Sequence, residues 1–169
     1  FAFANLHYPG GLVISTDFTA AIPSKLGKAV ATRVDAKDGS ESWSEVGPAE
    51  VAGVQALRPL NNALGTTCTR FGEPQRKAPE GALLAFRFYC TQPQMIILSV
   101  NGRFTTEIEI TASDDWQTIE IPAERLRSLG VHEPLKSWSQ ASTISLTPKP
   151  GSDITKMVFA DMKWVARAN

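Results

Sequence analysis

Three segments between Leu83 and Ile121 divide their side chains between two sides with a period of two. That period restricts them to β-strands with one buried face. In Leu83–Cys90, Leu84, Phe86, Phe88 and Cys90 share one side, and Leu83, Ala85, Arg87 and Tyr89 share the other. Residues 95–100 follow and run into Asn101-Gly102, the strongest short hairpin signal in the chain. Residues 105–110 place Ile108 and Ile110 inward, with Glu107 and Glu109 outward. Residues 116–121 set Ile119 and Ile121 against Thr118 and Glu120.

The remainder is weaker but of the same kind. Residues 12–18 read as a strand after the Pro9-Gly10-Gly11 turn. Residues 28–35 carry Val30, Thr32 and Val34 on one side and suit a strand, with a helix as the alternative. Residues 37–47 are polar and Ser/Gly-rich, and predict a loop. Residues 50–60 fit helix or strand, and Pro59 ends either. Residues 66–71, 143–147 and 156–164 complete the strands, and residues 73–81, with Pro74 and Pro79, form a loop. One helix is expected over 122–129, with Pro122 at its start and Gly130 beyond its end. Short strands at even spacing predict an all-β fold: an antiparallel β-sandwich of jelly-roll type with one short helix.

Length and composition narrow the partners. The chain has 169 residues, which suits one sandwich domain spanning 1–169. It opens on Phe1 rather than Met, so a fragment or module of a larger secreted protein is expected. Lys and Arg total 17 and Asp and Glu total 17, so there is no basic excess to hold a nucleic acid. No apolar run approaches the ~20 residues of a membrane-spanning helix. Cys68 and Cys90 stand either as two buried thiols or as one disulfide.

A resemblance emerges at Trp116-Gln117-Thr118-Ile119-Glu120-Ile121-Pro122. This resembles the Trp-x-x-Ile-x-Ile-Pro strand of β-jelly-roll carbohydrate-binding modules. The nearest in pattern are the family-11 modules and the related complex I intermediate-associated and galactose-binding-like domains. The strand at 143–146 and the last strand, with Asp161, follow in the same order, and Asp17-Phe18 matches the end of a first strand. The resemblance implies non-catalytic binding of a polysaccharide such as a β-glucan, in a module attached to a secreted enzyme. It also implies a structural calcium ion between the first and last strands, with Asp17 and Asp161 as ligands.

Sugar recognition needs flat aromatic faces for C–H-rich rings and planar polar groups for hydroxyls. Arg87 and Tyr89 stand together on the non-core side of a central strand and are the first ligand-binding candidates. Trp43 and Trp138 lie in Ser-rich loops and are candidate stacking platforms at the margins of the same face, with loop anchors tucked under the sandwich as the alternative. Asn101, with Arg103, flanks a hairpin tip and is a further candidate, although a plain turn role also suits it. Trp116 and Trp164 fit strand ends as packing residues.

For catalysis the chain offers little. Its histidines are His7 and His132, and no nucleophile elbow, phosphate loop or His-Glu-x-x-His occurs. Glu107 and Glu109 lie about 7 Å apart by strand rise and define the alternative, a polysaccharide-active sandwich enzyme. A solvated strand face is the far simpler account of that pair, because Glu107 and Glu109 alternate with the core residues Ile108 and Ile110. The third alternative is a structural or protein-interaction domain.

Overall fold

The computed structural model describes residues 29–34, 43–74 and 76–166. The described strands are β1 (Ala29–Val34), β2 (Val46–Val51), β3 (Val54–Pro59), β4 (Thr66–Cys68), β5 (Leu83–Cys90) and β6 (Gln94–Val100). They continue with β7 (Phe104–Ile110), β8 (Gln117–Ile121), β9 (Arg127–Ser128), β10 (Ile144–Pro148) and β11 (Met157–Val165). Every pairing among them is antiparallel. The larger sheet runs β2-β3-β11-β5-β8, with β1 also on β11, and the smaller runs β4-β10-β6-β7-β9. The two sheets stack as the expected jelly-roll sandwich. The expected strand over 12–18, and Asp17 with it, lies outside the described residues.

The alternation seen in the sequence decides which face is buried. Leu84, Phe86, Phe88 and Cys90 join Ile96, Leu98, Val100, Ile108, Ile110 and Ile121 in the main core. Leu83 and Ala85, on the other side of β5, pack with Val165 in a separate small cluster. A chain of rings runs through the core: Trp43 meets Phe159 at 5.1 Å and Phe71 at 6.3 Å, and Phe71 meets Trp164 at 5.8 Å. Trp164 in turn meets Trp138 at 5.7 Å. Buried indole N–H groups need acceptors. Trp138 Nε1 donates to the Ile121 carbonyl and Trp164 Nε1 to the Arg76 carbonyl, each at 2.9 Å.

Two expectations about tryptophan are therefore corrected. Trp43 is 4% exposed and Trp138 1%, so neither offers a ring face to a ligand. The serines beside them have structural tasks. Ser137 Oγ accepts from Ser139 N and caps the 3-10 turn Trp138–Gln140, which turns the indole inward. Ser44 bonds the backbone of Thr67 through both its N–H and its Oγ, extending the smaller sheet beyond β4 and carrying Trp43 beneath it.

The expected helix over 122–129 is also corrected. One 3-10 turn, Ala123–Arg125, leads directly into β9. Pairing of β9 with β7, at Phe104↔Ser128 and Thr105↔Arg127, captures the segment for the sheet edge. The residues at 50–60 divide between β2 and β3, joined by Ala52-Gly53 with φ of 51° and 78°. Two positive φ values make a tight hairpin turn, but alanine is an unusual residue there, which hid the turn.

Both cysteines are buried and free. Burial is the main cause that raises each thiol above its ordinary pKa. Titration of the denatured, unreduced protein is expected to find two thiols, and the native protein to react slowly with thiol reagents. Trp138→Ala is expected to lower unfolding free energy by about 3–5 kcal/mol in urea denaturation.

Candidate functional site

The outer face of the larger sheet gathers the polar and aromatic groups. Arg87 on β5 stands between Thr118 on β8 and Ala160 on β11, and Tyr89 lies beside Val158. Alternation along β8 carries Trp116, one residue ahead of the strand, to the side of Thr118 and Glu120. Trp116 therefore arrives over β5: its ring centroid is 5.7 Å from that of Tyr89, and the Arg87 guanidinium carbon lies 5.1 Å from the indole centroid. That distance is within cation–π range.

The other partner of Arg87 comes from a break in β11. Ala160 faces Arg87 and Lys163 faces Ala85, so Asp161 and Met162 together oppose Phe86. This is a β-bulge, and Asp161 takes the left-handed conformation at φ 52°. Its Oδ2 accepts a hydrogen bond from Arg87 Nη1 at 2.8 Å, with side-chain exposures of 25% for Arg87 and 10% for Asp161. Shielding from water and a short charge-assisted bond fix the guanidinium more firmly than an exposed pair would.

The bulge also marks a change of neighbours. On the side of β11 away from β5, β3 pairs at Phe159↔Leu57, whereas β1 pairs from Met162 onward. The β2–β3 hairpin thus leaves β11 near the bulge, and its tip leans over the outer face. Ala49, Val51, Val54, Tyr89 and Trp116 pack there around Ala56, Val158 and Ala160. Trp116 Nε1 donates to the Val51 carbonyl at 3.1 Å, although β8 and β2 are opposite edges of the sheet. The result is a closed cleft: Trp116 and the hairpin cover its buried apolar floor of Ala56, Val158 and Ala160, with Arg87 and Asp161 adjoining it.

The other candidates lie elsewhere. Asn101 sits at φ 54° in the β6–β7 turn. Its Oδ1 accepts from Ser142 N, Ser142 Oγ and Thr143 N, and its Nδ2 donates to Gln140 O. It is a clamp between two loops, remote from the cleft's strands. Glu107 and Glu109 are exposed on the smaller sheet, where Lys149 Nζ reaches Glu107 Oε1 at 2.8 Å. Arg87 pairs with neither glutamate. Of the two expected calcium ligands, Asp161 accepts from Arg87 through Oδ2, and Asp17 lies outside the described residues. Among the described residues no group of three His, Cys, Asp or Glu comes together.

Reading the sequence placed Arg87 and Tyr89 correctly on the outer side and missed Trp116 and the role of Asp161. Both carried a signal. Trp116 continues the alternation of Thr118 and Glu120. In β11 the core side chains change parity, from Met157 and Phe159 to Met162 and Trp164, which an inserted residue produces. The left-handed position predicts a graded response. Asp161→Asn keeps a residue that tolerates the left-handed backbone but loses the charged partner of Arg87, and is expected to cost about 1 kcal/mol. Asp161→Val is expected to cost about 2–4 kcal/mol, because it removes the acceptor of Arg87 and its branched Cβ also crowds the left-handed backbone.

Comparison by sequence finds no family model and no curated protein that matches the chain. Comparison by structure finds similar folds. One is a family 11 carbohydrate-binding module from Clostridium thermocellum, solved in complex with a β-1,3-1,4-mixed-linked tetrasaccharide. It superposes with a TM-score of 0.52 at 14% identity, covering 86% of this chain and 99% of that module. The family 11 module of the cellulosomal cellulase Lic26A-Cel5E of Clostridium thermocellum gives 0.48 at 16% identity, covering 85% and 96%. The chain resembles the family 11 carbohydrate-binding modules, and the sandwich described above is their jelly-roll fold.

Proposed function

We propose that the protein is a non-catalytic carbohydrate-binding module whose ligand occupies the cleft on the outer face of the larger sheet. The observation that carries this reading is the group Arg87, Asp161, Tyr89 and Trp116 on that face. Tyr89 offers a ring to the C–H face of a pyranose. Arg87, held by Asp161 at 2.8 Å, presents its remaining N–H groups in a fixed fork to hydroxyl oxygens. Groups already immobilised lose little freedom on binding, which helps a weak polar ligand. The balance of 17 basic and 17 acidic residues suits a neutral polymer.

The fold shared with a module solved on a mixed-linkage tetrasaccharide supports a β-glucan as the first ligand to try. In this reading the module belongs to a secreted or extracytoplasmic protein and tethers a polysaccharide-active enzyme to its substrate. Tethering turns modest affinity into a high local concentration.

Affinity electrophoresis in gels containing mixed-linkage β-glucan, xylan, mannan or galactan tests the proposal. The parent is expected to be retarded by at least one polymer. Arg87→Ala and Tyr89→Ala are each expected to weaken that retardation about tenfold while the protein stays folded, with a modest fall in melting temperature from the lost Asp161 and Trp116 contacts. Equal retardation of parent and both variants places the site elsewhere. A parallel gel with chelator tests the expected calcium ion: loss of retardation supports it and unaltered retardation opposes it. No reducing ends are expected from any glycan, and their release would favour Glu107 and Glu109 as an active pair.

A further inference from the structure

The cleft that the binding reading requires is partly occupied by the protein's own side chain. Trp43, Trp138 and Trp164 are core residues, at 4%, 1% and 1% exposure. Trp116 is different: it is half-buried and lies over the outer face. Its indole has a face under the Arg87 guanidinium, its ring is tilted at 53° against that of Tyr89, and its N–H is on the Val51 carbonyl at 3.1 Å. A sugar ring bound in the cleft would use the same three partners. Its C–H face would meet Tyr89, an oxygen would meet Arg87, and a hydroxyl would donate to the Val51 carbonyl.

We propose that Trp116 is a gate that a pyranose ligand must displace, with the Trp116–Val51 hydrogen bond as its latch. This inference rests on the binding reading above. The latch joins the two edges of the sheet, so its opening frees the whole width of the cleft. One side of the latch is a hairpin tip with limited hold on the sheet: β3 registers with β11 at Phe159↔Leu57, and the turn has Ala52 at φ 51°, a conformation alanine disfavours. The other side is a side chain on a firm base. Gln117 bonds both the Oγ1 and the carbonyl of Thr111, closing the loop from which Trp116 projects. The indole can therefore turn out while the backbone stays in place. Ligand affinity is then reduced by the fraction of molecules in which the gate is shut.

Trp116→Phe removes the latch and keeps a ring against Tyr89. With a mixed-linkage tetrasaccharide as probe, calorimetry is expected to show the Phe variant binding roughly three- to tenfold tighter than the parent, the effect of one lost net hydrogen bond. In the parent, the indole N–H resonance that the Phe variant lacks is expected to shift and lose protection from solvent exchange as the probe is added. The indole N–H groups of Trp138 and Trp164, bonded to Ile121 and Arg76, are expected to stay unmoved and serve as controls. If the parent binds but the Phe variant binds no tighter, or the Trp116 resonance keeps its position and protection, the gate falls and the binding reading stands. If the Phe variant alone binds, the gate is supported. If neither protein binds this probe or any glycan of the electrophoresis panel, both proposals fall.

Discussion

The bulge at Asp161 is the constraint on which the outer face of the larger sheet depends. β11 lies against β5 along its whole length, so it cannot turn away from the core. One inserted residue instead changes the phase of its side chains. Phe159 and Trp164 both reach the core despite lying five apart, an odd separation that an unbroken strand would send to opposite faces. The same inserted residue sends the Asp161 carboxylate toward Arg87 and coincides with the replacement of β3 by β1 as neighbour. The lean of the β2–β3 hairpin, the apolar floor and the Trp116–Val51 bond all follow from that change of neighbours.

Within this face the polar groups constrain one another. A guanidinium beside an indole and a carboxylate has both a soft and a hard partner, and each limits a different motion of the side chain. Trp116 adds a bond to the opposite sheet edge and so ties the two halves of the cleft together. By contrast, the smaller sheet's outer face carries short hydroxyl side chains toward one end and the Glu107 and Glu109 carboxylates toward the other. Thr67 and Ser145 hydroxyls meet there at 2.9 Å, and Ser145 is in register with Ser99 and Ser99 with Thr105. The two sheets thus differ in character on their outer faces while sharing one apolar interior.

The sequence was most legible where period and burial coincide. β5 through β8 fall within a residue or two of their expected limits, because each has one side against the core and one away from it. It was least legible where local and tertiary preferences diverge. Residues 122–129 have the end signals of a helix, yet so short a helix is marginal alone, and pairing with β7 draws Arg127 and Ser128 into the sheet edge. Ala52-Gly53 lacks the Asn or Asp that announces a tight hairpin turn, and the strands on either side impose the left-handed backbone. Trp43 and Trp138 looked like exposed platforms because serines surround them. Those serines cap turns and complete a sheet edge, and the tryptophans fill the core.

By itself, then, the sequence determined the β class, the sides of the central strands, and the pairing of Arg87 with Tyr89 on one face. Alternation is a local property, and a period of two leaves each side chain only two directions. Only the tertiary structure decided that Asp161 holds Arg87 and that Trp116 closes over Tyr89. Those contacts join residues 74 and 27 positions apart. They exist because a bulge, a change of neighbouring strand and a leaning hairpin bring distant segments to one place, and no local period records that meeting.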